Sequence, residues 1–365
     1  MIITRTDIFR YSIRIEPFAI ATGTMHFAQN VLIRIHTDSG IYGLGECSAF
    51  PMIVGETQDT CIEMAKAFAA IWKGKDPLDI PARLKELDDF TARNTTIKSA
   101  FDMALYDLAA KNENLPLYQY LGGEKREVET DLTIGIDSVE NMTASALKYQ
   151  KSGVRMLKIK LGKNAADDVR RMQAIRKATG PEMVLRIDAN QGWCYDDAVF
   201  ALKSMDALDI QFCEQPMRSW DDDYLPALLR ESPVKIMADE SCYNHHDARR
   251  LIIAGACHYI NIKLAKSGGI YEARKIHNTA SASGMPCMLG TMLESRLALS
   301  ANLHFAYASP GVHFFDLDSC LLGFLEDPVT GGVTYNNYRL EIDDSPGIGA
   351  NVDEEFLRKC EYWKI

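Results

Sequence analysis

Residues 155–161 read Arg155-Met156-Leu157-Lys158-Ile159-Lys160-Leu161. The run is short and apolar, and two lysines two positions apart lie near its end. Side chains alternate along a strand, so Lys158 and Lys160 share a face. The same shape recurs further along the chain. Met183–Ala189 carries Asp188 near its end, Ile210–Glu214 ends in Glu214, Val234–Asp239 in Asp239 and Tyr259–Lys263 in Lys263. Val128–Ile136 precedes this set, and Pro286–Gly290 and His313–Asp318 follow it. Stretches of helical composition lie between the strands, among them Ala165–Ala178, Asp221–Arg230 and Gly269–Ser283. Eight strands alternating with helices predict an α/β fold, a TIM-type (β/α)7β barrel over residues 124–334. A doubly wound open sheet is the alternative, but no G-x-G-x-x-G follows the first strand of the block.

The first 123 residues have a different rhythm. Ile2 to Ile15, Asn30 to Thr37 and Ile41 to Cys47 read as strands, the last two joined by the hairpin signal Asp38-Ser39-Gly40. Thr57–Trp72, Ile80–Phe90 and Ile97–Asn112 then carry apolar residues at helical spacing. Strands followed by helices predict an N-terminal α+β capping domain over residues 1–123. The tail, 335–365, is expected to pack back on it.

Composition narrows the partners. The net charge of −10 disfavours nucleic acid, which needs a concentrated positive surface. No apolar run reaches the roughly 18 residues of a membrane helix. The first residues, Met1 to Asp7, read as a strand, not a signal peptide, so a cytoplasmic location is the default. Nine scattered cysteines without a C-x-x-C pair read as reduced structural thiols. His245-His246 reads as a solvated loop pair. Lys266-Ser267-Gly268-Gly269 resembles a phosphate loop only faintly, and a βα turn is the better reading.

The chemistry sits at the strand ends, where TIM barrels carry their active sites. Asp188, Glu214 and Asp239 end three successive strands. Pointing inward, they converge as carboxylates that repel one another, and a bound dication removes that conflict. Hard oxygen donors suit Mg²⁺ better than zinc. Single acids at strand ends are usually solvated or ion-paired; three in succession are hard to explain that way. Lys160 and Lys263 flank this acidic arc. A substrate carboxylate on the metal would lie between them, and each amine could reach one face of the adjacent carbon. The base must be neutral, and the like charge of Lys158 would lower the pKa of Lys160. The plainer alternative is that the lysines merely pair with the acids. Asp316 and Asp318 share a face on the last strand and could hold a cation such as a substrate ammonium, or simply cap the next turn.

These motifs, Lys158-x-Lys160, Arg186-Ile187-Asp188-Ala189-Asn190, Glu214-Gln215-Pro216, Met237-Ala238-Asp239-Glu240-Ser241 and Asn261-Ile262-Lys263, resemble those of the enolase superfamily, muconate-lactonising subgroup. The resemblance spans nearly the whole chain and is strongest to the dipeptide epimerases. It implies one Mg²⁺ per subunit on Asp188, Glu214 and Asp239, with Lys160 and Lys263 as opposed acid and base. It implies a small dipeptide as substrate, such as L-Ala-D/L-Glu from cell-wall peptide, with its ammonium on the D-x-D of Asp316-Leu317-Asp318. It places Lys158, Thr133, Thr291, Met292 and Leu293 at the substrate, and it fits a homo-oligomer. A loop of the capping domain, here Thr22, Gly23, Thr24, Met25 and His26, would close over the site. Glutamate-specific members can carry an arginine in that loop; the position falls at Gly23 here. Either another group meets the side-chain carboxylate or the substrate is less acidic. The rivals are o-succinylbenzoate synthase or muconate cycloisomerase chemistry on the same scaffold, and a non-catalytic metal-binding barrel.

Overall fold

A computed structural model describes residues 1–365. Strands β1 (Ile3–Ile20), β2 (Gly23–Thr37) and β3 (Tyr42–Ser48) form an antiparallel sheet. Helices α1 (Pro51–Val54), α2 (Gln58–Trp72), α3 (Ile80–Phe90) and α4 (Thr95–Asn112) follow. Residues Thr96 to Ala110 of α4 are all buried, because this helix runs between β3 and the barrel helix Ile270–Ala282. A helix without a polar face belongs in such a sandwich.

The barrel strands are β4 (Leu132–Ile134), β5 (Met156–Lys160), β6 (Val184–Asp188), β7 (Ile210–Glu214), β8 (Ile236–Ala238), β9 (Tyr259–Ile262), β10 (Cys287–Gly290) and β11 (Val312–Asp316), parallel and in sequence order. The seam between β11 and β4 is joined partly by side chains. Asp131 N donates to Phe315 O (3.3 Å), Leu317 N to Thr130 Oγ1 (2.8 Å) and Thr133 N to Asp318 Oδ2 (2.7 Å). The expected TIM-type (β/α)7β barrel with an N-terminal α+β unit is the observed fold. No helix is long and apolar enough to cross a membrane.

Four segments differ from the sequence reading. Residues 16–29 are not loop: β1 and β2 continue as a hairpin, with Phe18 opposite Met25 and Ile20 opposite Gly23, past an irregularity between Arg14 and Phe18. Pro17 sits in that irregularity, where a missing N–H costs no ladder bond. Asp221–Arg230 splits into a 3₁₀ turn, Ser219–Tyr224, and a helix, Leu225–Glu231. His245-His246 opens the helix His245–Ala254, capped by Asn244, and His245 Nδ1 lies 2.5 Å from Glu272 Oε1. The tail divides. Tyr338 O and Val128 O bond residues 130 and 340, holding that hairpin on the barrel, while Tyr362–Lys364 pairs with β1.

Two buried carboxylates of the capping unit seat it on the barrel. Asp102 of α4 accepts from Ile270 N (2.5 Å) and Tyr271 N (3.2 Å), at the N-terminus of Ile270–Ala282. Glu46 of β3 accepts from Ser295 N (2.9 Å), Ser295 Oγ (2.5 Å) and Ala298 N (3.2 Å), at the N-terminus of Arg296–Tyr307. Both use the free amides and positive end of a helix. Gly269, at φ +112°, has no Cβ where the Asp102 carboxylate lies. The turn that faintly resembled a phosphate loop therefore holds a carboxylate of the chain itself.

Replacing Asp102 by Ala leaves two buried amides without an acceptor. The expected loss is about 1–3 kcal/mol of stability in urea denaturation. A loss below about 0.5 kcal/mol would mean that water serves this helix end equally well.

Candidate active site

The strand ends gather the expected charges in one place, all but excluded from water. Lys158, fully buried, sets its Nζ 2.7 Å from Glu214 Oε2, 2.7 Å from Asp316 Oδ2 and 3.3 Å from Asp188 Oδ2. Lys160 Nζ donates to Asp188 Oδ2 at 2.6 Å. Lys263 Nζ lies 2.8 Å from Asp239 Oδ2 and 4.0 Å from Glu214 Oε1. The two flanking lysines thus reach opposite ends of the Asp188–Glu214–Asp239 arc.

Lys158 does not act simply as a like charge beside Lys160. Burial works to lower its pKa, but the charges of Asp316, Glu214 and Asp188 outweigh that and hold it well above the usual lysine value. Lys263 is raised in the same way: burial opposes, and Asp239 and Glu214 prevail. Asp188 is lowered, because Lys160 and Lys158 overcome its burial. Glu214 goes the other way. Burial first and the charge of Asp188 second push it up to about 8. The arc is therefore short of positive charge at its centre. Three fully buried carboxylates with oxygen-only donors and this deficit fit a hard dication such as Mg²⁺.

Neighbouring residues hold the arc in shape. Asn261 Nδ2 donates to Glu214 Oε1 (2.8 Å), and Lys266 Nζ to Asp239 Oδ1 (2.5 Å). Gln215 Oε1 accepts from Asp239 N (2.8 Å) and Ser241 N (3.1 Å), tying the ends of β7 and β8. Asn190 and Gln215, at φ +40° and +34°, follow closely on Asp188 and Glu214. Such strain concentrates where a site fixes its geometry. Lys266 and Gln215 stood in motifs already visible in the sequence, but strand position alone did not assign them a partner.

Across the barrel, Asp316 and Asp318 join a third carboxylate, Asp131, with oxygens within 4.8 Å of one another. Asp131 was missed, although it lies two residues before Thr133 and so on the same face. Burial, then the charges of Asp316 and Asp131, raise Asp318 well above the usual range. Asp316 is lowered instead, since Lys158 and Lys160 overcome its burial.

A cavity over these groups is lined by Thr133, Lys160, Asn190, Lys263, Thr291, Met292, Leu293, Asp316 and Asp318 from the barrel side, with Leu322. Its remaining lining comes from the capping unit: Phe18, Ile20, Phe50 and Ile53. Thr22, Gly23, Thr24, Met25 and His26 do not line it. They form the turn and the returning strand of the hairpin, with Thr24 and His26 exposed, so the opposite strand presents its side chains to the cavity. Gly23 packs on Met52: a Cβ there would strike the Met52 sulfur. Ile136 N donates to Ala19 O (2.9 Å), and Tyr243 Oη to Ile53 O (2.6 Å), so barrel loops hold both parts of the lid.

Comparison with known proteins agrees with this architecture. Residues 3–122 match the mandelate racemase/muconate lactonizing enzyme N-terminal domain, and residues 141–356 match the enolase C-terminal domain-like family. A D-Ala-D/L-Ala epimerase of Cytophaga hutchinsonii is 40% identical over 364 residues, 99% of each chain. The crystal structure of a dipeptide epimerase from Cytophaga hutchinsonii, complexed with Mg and D-Ala-L-Val, superposes with a TM-score of 0.98 at 40% identity over 100% of both chains. A dipeptide epimerase from Enterococcus faecalis, complexed with Mg and L-Leu-L-Tyr, gives 0.93 at 37% identity, covering 96% of this chain and 100% of that one.

Tyr243→Phe removes the hydroxyl that holds α1 in the lid. Amide hydrogen exchange at residues 50–55 is expected to speed up about five- to tenfold, the effect of losing one hydrogen bond. Unchanged protection there would mean that packing of Met52 and Ile53 alone keeps the segment in place.

Proposed function

Since the chain belongs to the enolase superfamily, with the N- and C-terminal domains of its mandelate racemase/muconate lactonizing branch, we propose that it is a Mg²⁺-dependent dipeptide epimerase that moves the α-proton of the C-terminal residue. The observation that carries this reading is the pair of lysines at opposite ends of one buried acidic arc, facing a cavity whose far wall is acidic.

Asp188, Glu214 and Asp239 hold the metal. When bound, it supplies positive charge where the substrate carboxylate gains negative charge as the proton leaves. Lys160 takes or returns the proton on one face of the α-carbon, and Lys263 does so on the other. Lys158 has no exposed surface and three carboxylate partners, so it fixes the floor and takes no part in proton transfer. Asp316 and Asp318 receive the amino terminus, where a cation is needed. Thr133 and Thr291 flank it.

The lid bears on the side-chain preference in this reading. Phe18, Ile20, Phe50 and Ile53 offer no cation to a side-chain carboxylate. Burying a charge against them is unfavourable. A small or apolar C-terminal side chain fits this lid better than the glutamate of L-Ala-D/L-Glu.

Incubation with alanyl-alanine and Mg²⁺ in D₂O tests the reading: deuterium is expected at the C-terminal α-carbon of both epimers. Lys160→Ala should stop interconversion by about 10³-fold or more yet still permit exchange of one epimer, and Lys263→Ala should permit the other. Exchange of the same epimer by both variants would refute the two-face arrangement. EDTA should abolish turnover and Mg²⁺ restore it. Alanyl-glutamate should be turned over about 100-fold less efficiently than alanyl-alanine, roughly 2.7 kcal/mol in transition-state binding; equal rates would place an unrecognised cation at the lid.

A further inference from the structure

Asp131 has no place in the mechanism above, yet it is fully buried at the seam of the barrel. Its Oδ2 accepts from Arg186 Nη1 at 2.7 Å. Its Oδ1 has no hydrogen-bond partner at all. Arg186 is otherwise satisfied, by Gln211 Oε1 (2.7 Å), Phe315 O (3.2 Å) and the rings of Phe212 and Phe314. Asp131 therefore remains half-paired beside Asp316 and Asp318.

The charges around it do not cancel. Asp131, Asp316 and Asp318 pair directly with Arg186 and Lys158, with Lys160 acting on Asp316 as well, and Lys158 is shared with Glu214 and Asp188. Asp318 takes its hydrogen bonds from Thr133, the backbone N–H at 2.7 Å, and from no charged group. Charge pairing is thus incomplete at this buried end of the cavity. Burial, and next the charge of Asp316, push Asp131 up to about 6, the response of a carboxylate in want of a cation.

We propose that Asp131 is a positioning residue for the substrate ammonium: a third, buried carboxylate behind Asp316 and Asp318 whose uncompensated charge makes this end of the cavity select a free amino terminus. It touches no substrate atom. It acts through the field it adds and by keeping the pair it backs receptive to a cation. This rests on the reading of Asp316 and Asp318 as the ammonium site.

Two ligands without a C-terminal α-proton separate the claims, because neither can be turned over: alanyl-2-aminoisobutyrate and its des-amino analogue, N-propionyl-2-aminoisobutyrate. Calorimetry of the Mg²⁺-loaded enzyme gives the ratio of their affinities. A wild-type enzyme without preference for the ammonium ligand would refute the ammonium site itself. With that preference present, Asp131→Asn, an isostere that still accepts from Arg186, is expected to reduce the ratio about tenfold, a modest share of one charge at this range in a partly screened site. Affinity for the des-amino ligand stays as in wild type. Asp131→Ser, which leaves a water-sized gap, gives the same change and serves if the isostere does not accumulate. An unchanged ratio, or equal weakening of both ligands, overturns the proposal.

Discussion

The ammonium of Lys158 joins what would otherwise be two separate acidic sites. It contacts Glu214 and Asp188 on one side and Asp316 on the other, with no exposed surface. A lone buried ammonium is prohibitively costly, and so are unpaired buried carboxylates. Each makes the other tolerable only because the parallel strands bring them to one depth. β5 lies beside β6 in register, with Lys158 opposite Arg186 and Lys160 opposite Asp188. A one-residue slip would turn every charged group out of the barrel. Register, charge pairing and the position of the proton-transfer groups are thus one constraint.

The pairing is incomplete by design of the chemistry. Among the groups that converge there, seven carboxylates (Asp131, Asp188, Glu214, Asp239, Glu240, Asp316 and Asp318) face five cations (Lys158, Lys160, Arg186, Lys263 and Lys266). The surplus is divided: Glu214 and Glu240 are pushed up on one side, Asp131 and Asp318 on the other, burial being the first cause in each. A metal at one end and an ammonium at the other match that division.

Much of this was legible in the sequence because strands encode it locally. A carboxylate or lysine closing an apolar run states both its element and its end of the barrel. Lys160, Asp188, Glu214, Asp239 and Lys263 could be read that way. What could not be read depends on pairings between distant segments. Asp131 meets Arg186 and Asp316, Tyr243 reaches Ile53, and Asp102 reaches Ile270, each across a separation without local pattern. The hairpin 16–29 escaped for another reason. Glu16 and Pro17 interrupt β1 at its irregularity, and Ala21-Thr22-Gly23 reads as a turn, so the hairpin between them was not marked as a strand pair. His245-His246 looked like loop because histidine is a weak helix signal. Asn244 as N-cap was the better clue.

The division of labour between barrel and cap follows from these positions. The barrel holds every charge the reaction needs, on strand ends fixed by neighbours such as Gln215 and Asn261. The cap contributes only apolar surface to the cavity, from Phe18, Ile20, Phe50 and Ile53. It is anchored by Asp102 and Glu46 in the N-termini of two barrel helices. Changing a lid side chain therefore alters what fits against the substrate without moving a charged group. Gly23 illustrates this. Its missing Cβ admits the Met52 side chain, so two lid segments interlock and the ceiling stays apolar. A larger residue there would have to displace Met52, and the floor would not register the change. In the proposed function, selection among side chains falls to the cap, while recognition of the two charged ends of the peptide falls to the barrel.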